Sequence, residues 1–239
     1  MYLTKRTKRT LNILLLAATL LAFALLAYTS SAMGTEQRQL KVAKEDAFTS
    51  IHALWRARAV SYAANSDESR YLLDHAHAAE HERKFFAKSG LLATLPPGVR
   101  LEDIAAKAGA RLQGFTGYLA DELNNITFAG ERDAATDALL RYEDYLAVDR
   151  QIRQLESSGK HREAIDLCIG SQVGQSDWAF DRFDKALGAT LDINQTAFDQ
   201  AVDQGLSALD GLDVKVSVAA ALIALVIFLG LAARIREYE

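Results

Sequence analysis

Leu11-Asn-Ile-Leu-Leu-Leu-Ala-Ala-Thr-Leu-Leu-Ala-Phe-Ala-Leu-Leu-Ala-Tyr28, continued by Thr29 to Met33, is a run without a charge. At about 1.5 Å per residue the part up to Tyr28 reaches about 27 Å, and the continuation carries it across a hydrocarbon core of about 30 Å. Ser30, Ser31 and Ala32 resemble a small-residue cleavage site, so a signal peptide is the rival reading. The apolar core of a signal peptide is about 7–15 residues. This run is longer, which favours an uncleaved anchor. A second charge-free run, Val216 to Ala233, lies between Lys215 and Arg234. It has the length and composition of a second span.

Lys5, Arg6, Lys8 and Arg9 precede the first run, whereas Gly34-Thr-Glu36 comes after it. The excess of positive charge places the N-terminus in the cytoplasm, and two spans return the C-terminus there. The expected organisation is a basic N-terminus (1–10), a first transmembrane helix (11–33), an extracytoplasmic segment (34–213), a second transmembrane helix (214–233) and a short tail (234–239). The expected location is the plasma membrane. Residues 34–213 hold 20 Lys and Arg against 29 Asp and Glu, a net of -9 in a chain whose formal charge is -4. Such a segment is repelled by anionic lipid headgroups. One Cys rules out an intramolecular disulfide framework. Together these features exclude a soluble cytosolic enzyme and a nucleic-acid-binding protein with a basic face.

The outer segment reads as all-α. Phe48, Ile51, Leu54/Trp55, Arg58/Ala59 and Tyr62 recur at three- and four-residue steps, the stripe of a helix packed in a bundle. Trp55 belongs to that stripe and is expected in the core. Phe180, Phe183, Leu187, Thr190/Leu191, Asn194, Phe198, Ala201/Val202 and Leu206 keep a near-heptad beat. Asn194 is the polar residue of that seam, where it can fix register. Leu101–Phe128 and Glu131–Leu155 are helical by composition. Turns are marked by Leu95-Pro-Pro-Gly98, Ala129-Gly130, Ser157-Ser-Gly159 and Gly170 to Gly174. Both ends of the segment must return to the membrane, so its long axis is crossed an even number of times. Asn65 to Glu68 and Ser157 to Gly159 are therefore expected to be kinks within four legs: 34–89, 100–128, 131–169 and 174–213, with 75–89 folded over the distal tip.

An N-terminal span, a long up-down-up-down outer bundle and a second span resemble the four-helix-bundle input regions of bacterial chemoreceptors and sensor kinases. Leu155-Glu-Ser-Ser-Gly-Lys-His-Arg-Glu-Ala-Ile-Asp-Leu167, with Phe183-Asp-Lys-Ala-Leu187 and Asn194-Gln-Thr-Ala-Phe198, is similar to their third and fourth helices. Ala63-Ala-Asn-Ser-Asp-Glu-Ser-Arg-Tyr-Leu-Leu-Asp74 with Glu82-Arg-Lys-Phe-Phe-Ala-Lys-Ser89 is similar to an actinobacterial membrane sensor. That sensor couples an amino-acid-binding protein to a cytoplasmic protein kinase. The resemblance implies a sensing role, with a signalling protein and a solute-binding protein as partners. Unlike those sensors, the chain has only Arg234-Ile-Arg-Glu-Tyr-Glu239 after the second run, so a signal is expected to leave through the membrane helices to another protein.

Asp74-His75-Ala-His77-Ala-Ala-Glu80-His81-Glu82 is the densest polar cluster. On one helix His77 and His81 fall a turn apart beside carboxylates, a pattern that can bind Zn²⁺, so His75, His77 and His81 are candidate metal ligands. The competing readings are acid sensing and a solvated helix face. The His-Glu-x-x-His pattern of zinc proteases is absent, since Arg83 and Lys84 come after His81-Glu82. Asp67, Glu68, Arg70 and Tyr71 combine both charges with an aromatic ring and are candidates for gripping a zwitterion or a partner protein. Arg70 would take a carboxylate bidentately. A local capping group is the alternative. Arg56 and Arg58 are further candidates, at the seam of a homodimer, against plain surface solvation. Cys168 is expected to be a buried thiol. No phosphate loop or nucleophile elbow is present, so the chain is not expected to be an enzyme, and no cofactor or nucleic acid is expected to bind. Two expectations remain: a sensor or relay subunit, and a structural scaffold of the cell envelope.

Overall fold

The computed structural model describes residues 12–106 and 113–236. Helices occupy most of them, and no strand forms among the described residues; Thr94 and Thr116 make one isolated antiparallel bridge. In chain order the helices are α1 (Ile13–Lys41), α2 (Phe48–Leu73), α3 (Ala78–Leu92), α4 (Leu101–Ala105), α5 (Tyr118–Asn124), α6 (Glu131–Ser157), α7 (His161–Cys168), α8 (Ser176–Leu209) and α9 (Leu212–Arg236). A π turn, Val42–Ala47, joins α1 to α2 without a loop. There the Phe48 amide donates to the Ala43 carbonyl, one residue further back than in an α-helix. The chain divides into two compact units, one made of residues 1–40 with 201–239 and the other of Lys41–Gln200.

In the terminal unit, α1 and α9 each carry a window long and apolar enough to cross a membrane. Only 6% of either window is buried, the reverse of a soluble core helix. Their contact is close at one end. A Cβ on Gly230 would lie 3.2 Å from Leu14 and Leu15, and Asn12 Nδ2 donates to the Gly230 carbonyl at 2.8 Å.

In the Lys41–Gln200 unit the apolar stripes meet in one core. In α6, Ala135, Ala138, Leu139, Tyr142, Tyr145, Val148 and Ile152 are buried at three- and four-residue steps. In α8, Phe180, Phe183, Leu187 and Leu191 continue the same layer. Tyr142 meets Phe183 at 4.9 Å and Tyr145 meets Phe180 at 5.5 Å, ring centre to ring centre. Arg58 with Asp184, and Glu68 with Ser176, show that α8 runs antiparallel to α2.

Several local readings change. Asn65 to Glu68 is not a helix cap, because α2 continues through it to Leu73. Asp67 and Glu68 are satisfied by partners on other helices, so no local cap competes with the helix. The break comes at Asp74 (φ -108°, ψ 77°), and a 3-10 turn, His75–His77, leads into α3. Helix α3 then returns along α2: His81 meets Asp67 while Lys88 reaches the Ala63 carbonyl, so residues 78–92 form a returning helix and not a fold over the tip. Residues 101–128 are not one helix, since α4 and α5 are short and Gly114 and Gly117 between them take positive φ. Gly117 is required there, because a Cβ would sit 2.7 Å from the Leu92 carbonyl oxygen.

Ser157 to Gly159 is a full stop and not a kink. Lys160 and Gly159 donate back to Leu155 and Glu156, and Gly159 has φ 73°, the pattern of a Schellman cap. The eight residues of α7 run back from His75 towards Glu68. Trp55 is not in the core. Phe48, Trp55 and Tyr62, spaced by seven residues, are each about half exposed (52%, 51% and 51%), while Leu54 and Ala57 face inward.

Candidate functional site

Three groups of polar side chains within the helical unit bear on the candidate site. The first surrounds Glu68, which lies one turn beyond Ala64 and one before Leu72 on the buried face of α2. Ser176 Oγ donates to Glu68 Oε2 at 2.6 Å, and the Cys168 thiol approaches the same oxygen at 3.9 Å. Across the core stands Asp149, one turn beyond Tyr145 on the stripe of α6. Glu68 Oε1 and Asp149 Oδ1 are buried without a hydrogen-bond partner, and the nearness of the two carboxyls disfavours charge on both. Burial, together with the nearby Asp149 charge, pushes Glu68 up to about 8, against a hydrogen bond from Ser176. Burial raises Asp149 as well, partly offset by Arg153. Arg153 donates to Asp149 at 2.9 Å and to Glu82 at 3.1 Å. Its guanidinium is 4.8, 4.7 and 4.5 Å from the ring centres of Tyr71, Phe85 and Phe86. A planar cation with five donors suits this mixed surround.

The second place lies at the tip. Burial favours the neutral form of Asp67, but hydrogen bonds from Lys88 and His81 outweigh it and hold the carboxyl below its usual range. His77 Nδ1 is 3.0 Å from Asp74, and His81 Nε2 is 3.5 Å from the same carboxylate. His75 packs against His161 at 4.6 Å, and His161 Nδ1 is 2.7 Å from Glu156. His77 and His81 thus meet on the Asp74 carboxylate, whereas His75 turns to His161. The turn at Asp74 to His77 takes His75 and His77 off the helix that carries His81. Among the described residues no group of three or more His, Cys, Asp or Glu side chains is placed to hold a metal ion.

The third place is a cleft of about 280 Å³ between α2 and α5, lined by Thr49, His52, Ala53 and Arg56 on one side and Tyr118, Asp121, Asn124 and Asn125 on the other. The Arg56 guanidinium lies 5.6 Å from the Tyr118 ring centre. Asn125 Nδ2 donates to the Asp46 carbonyl in the π turn at 2.6 Å and to Ser50 Oγ at 2.9 Å. Beneath the cleft, buried Asn194 donates to Glu122 Oε1 at 3.3 Å and to the Thr190 carbonyl at 3.1 Å, the seam role expected of it. Burial, with the neighbouring Glu131 carboxylate, pushes Glu122 up to about 8 despite hydrogen bonds from Ser50 and Asn194.

The six expected ligand-binding residues are thus dispersed. Asp67 and Glu68 are buried and engaged on different sides of α2. Tyr71 packs on Arg153, and Arg70 is exposed. Arg58 grips Asp184 with two bonds, 2.7 and 2.8 Å, joined by the Tyr62 hydroxyl at 3.0 Å. Arg56 lines the cleft between α2 and α5. The sequence did not single out Asp149, Arg153, Asp184 or Asp121. For Asp149 a signal existed, a carboxylate on an otherwise apolar stripe, and Glu68 carries the same signal. Arg153 stands four residues from Asp149 on α6, but its other partners and the Arg58 partner of Asp184 lie on different helices, and spacing carries no trace of them.

No protein-family model, no curated protein and no solved structure matches the chain.

Proposed function

We propose that the chain is a membrane-anchored sensor or signal-relay subunit. In this reading α1 and α9 cross the membrane, both termini are cytoplasmic, and residues 34–213 lie outside. The helices α2, α3 continued by α5, α6 and α8 are the four legs of an up-down-up-down bundle. The bundle receives a small ligand or a ligand-loaded binding protein and passes a helix displacement to a separate output protein.

The observation that carries this reading is the absence of slack at both apolar helices. Helical residues run from Ile13 to Leu73 with only the π turn between α1 and α2, and two residues, Asp210 and Gly211, separate α8 from α9. Rigid segments transmit a small piston or rotation that a flexible linker would absorb. The half-exposed series Phe48, Trp55 and Tyr62 supports pairing of two copies, because seven residues is the period at which two helices wind around each other. Disulfide-linked dimers of a Trp55→Cys variant in native membranes are expected; their absence sinks the pairing.

Cross-linking in native membranes tests the function. Recovery of a kinase or another signalling protein is expected, and insertion of a short Gly-Ser segment between Gly211 and Leu212 should uncouple that protein's response while leaving the helical unit folded. An undiminished response, or recovery of envelope-assembly proteins alone, favours the second reading, a non-catalytic scaffold of a cell-envelope complex. The net acidic outer segment is compatible with that role.

A further inference from the structure

We propose that the cleft between α2 and α5 binds a small zwitterion of α-amino-acid size, with Arg56 taking its anionic group and Asp121 its cationic group. The cleft volume, about 280 Å³, sits at the small end of ligand sites. The register of the two helices sets the spacing of the charges. Tyr118 stands opposite Arg56 and Asn125 opposite Ser50, so the helices are antiparallel and Asp121 falls opposite His52 and Ala53. Arg56 and Asp121 are then displaced by about one helical turn, roughly 5 Å along the axis. A molecule with its two charges on neighbouring atoms can touch both.

The pairing state of these side chains selects the ligand class. Both charges line one cleft, yet among the described residues Arg56 meets no carboxylate and the Asp121 side chain meets no donor. Arg58, Arg141, Arg150 and Arg153, on the same helix and on α6, each have a carboxylate within 3.1 Å. A simple anion at Arg56 would be opposed by Asp121, and a simple cation at Asp121 by Arg56. A zwitterion satisfies both, with charge-assisted hydrogen bonds at each end. The Tyr118 ring already covers one face of the guanidinium, leaving its donor edge for a carboxylate. The Asn124 amide and Thr49 hydroxyl supply further hydrogen-bonding groups at the rim.

The wall of the cleft is also tied to the join between α1 and α2. Asn125 holds the Asp46 carbonyl inside the π turn. A ligand bridging α5 to α2 would load that bond, and π turns inside helices are frequent at functional sites. The role of the cleft as an input rests on the sensor reading, whereas occupancy by a zwitterion does not.

The test uses the whole chain in lipid nanodiscs with free L-amino acids as probes at millimolar concentration, followed by calorimetric titration of any that raises the melting temperature. At least one is expected to bind. Its N-acetyl and amide derivatives, and the Arg56→Gln and Asp121→Asn variants, should each weaken binding by about tenfold or more, the loss of one charge-assisted bond. Both side chains are exposed, so the unliganded melting temperature should not move. Failure of every free amino acid to bind overturns the assignment, as does binding that survives both substitutions or tolerates either derivative. If binding stands but leaves the cross-linking rate of a Leu15→Cys, Gly230→Cys pair unchanged, the cleft is a zwitterion site and the sensor reading falls.

Discussion

Ser176 donates its hydroxyl proton to Glu68 at 2.6 Å across 108 residues of sequence, and both residues are fully buried. The bond joins the start of α8 to the far half of α2. It also holds Glu68 near Asp149, where burial and the second carboxyl favour the protonated form of Glu68.

That proton makes stability depend on pH in the direction opposite to a typical salt-bridged carboxylate. Glu68 and Glu122 have an ordinary value near 4.5 and are both raised to about 8 in the folded chain. Between those values the folded state binds more protons than the unfolded one, so stability falls as pH rises. The contribution is complete below about 4.5 and lost once pH passes about 8. One such group gives a slope of about 1.4 kcal/mol per pH unit at most. Denaturant titrations across this range should show the decline, and Glu68→Gln should flatten it. A stability that rises across the window would contradict the buried-proton account.

Arg153 neutralises Asp149 and fills the space between three aromatic rings. Arg153→Met keeps part of the packing but leaves Asp149 buried without its cation, and a loss of about 3–5 kcal/mol is expected. Pairing it with Asp149→Leu should recover much of that loss, since the stranded charge disappears. A double-mutant cycle read by urea unfolding measures the coupling. A cost that is simply additive would mean the ion pair contributes nothing of its own.

Gly117→Ala should destabilise the helical unit by about 1–3 kcal/mol. The residue has φ 110°, and a Cβ would press on the Leu92 carbonyl beside the Thr94–Thr116 bridge. The same change at Gly159, where nothing lies within 4 Å, carries only the conformational cost of φ 73°. Comparing the two melting temperatures separates clash from strain.

Cys168 is free and buried. Burial, reinforced by the Glu68 carboxyl, pushes its thiol up to about 12. Because the thiolate is the reactive form, alkylation of the folded chain at neutral pH should be slow and should become fast on denaturation. Rapid labelling of the native protein by iodoacetamide would show that the end of α7 opens readily.

Period and composition alone made the long helices and the buried face of α8 legible, though not the break within 101–128 or the exposed face of α2. The charge-free runs lie in the two long apolar helices as far as these are described, the near-heptad beat of Phe180, Phe183, Leu187 and Leu191 in α8 became part of the core, and the turns at Gly98, Gly130 and Gly159 lie where glycine allowed positive φ. The polar seam residue Asn194 was legible for the same reason, a misfit on an apolar stripe. Contacts between helices decided the rest. Whether Asp67 and Glu68 cap a helix or continue one depended on Lys88, His81 and Ser176, which lie 14 to 108 residues away. Whether His77 and His81 face one ion depended on a break at Asp74 that no helix-ending residue announces. Whether Arg56 stands without a carboxylate in a cleft while Arg58 is locked to Asp184 depended on which neighbour each side chain met. A period is a property of one segment, while a partner is a property of two, and only the folded chain brings the second into reach.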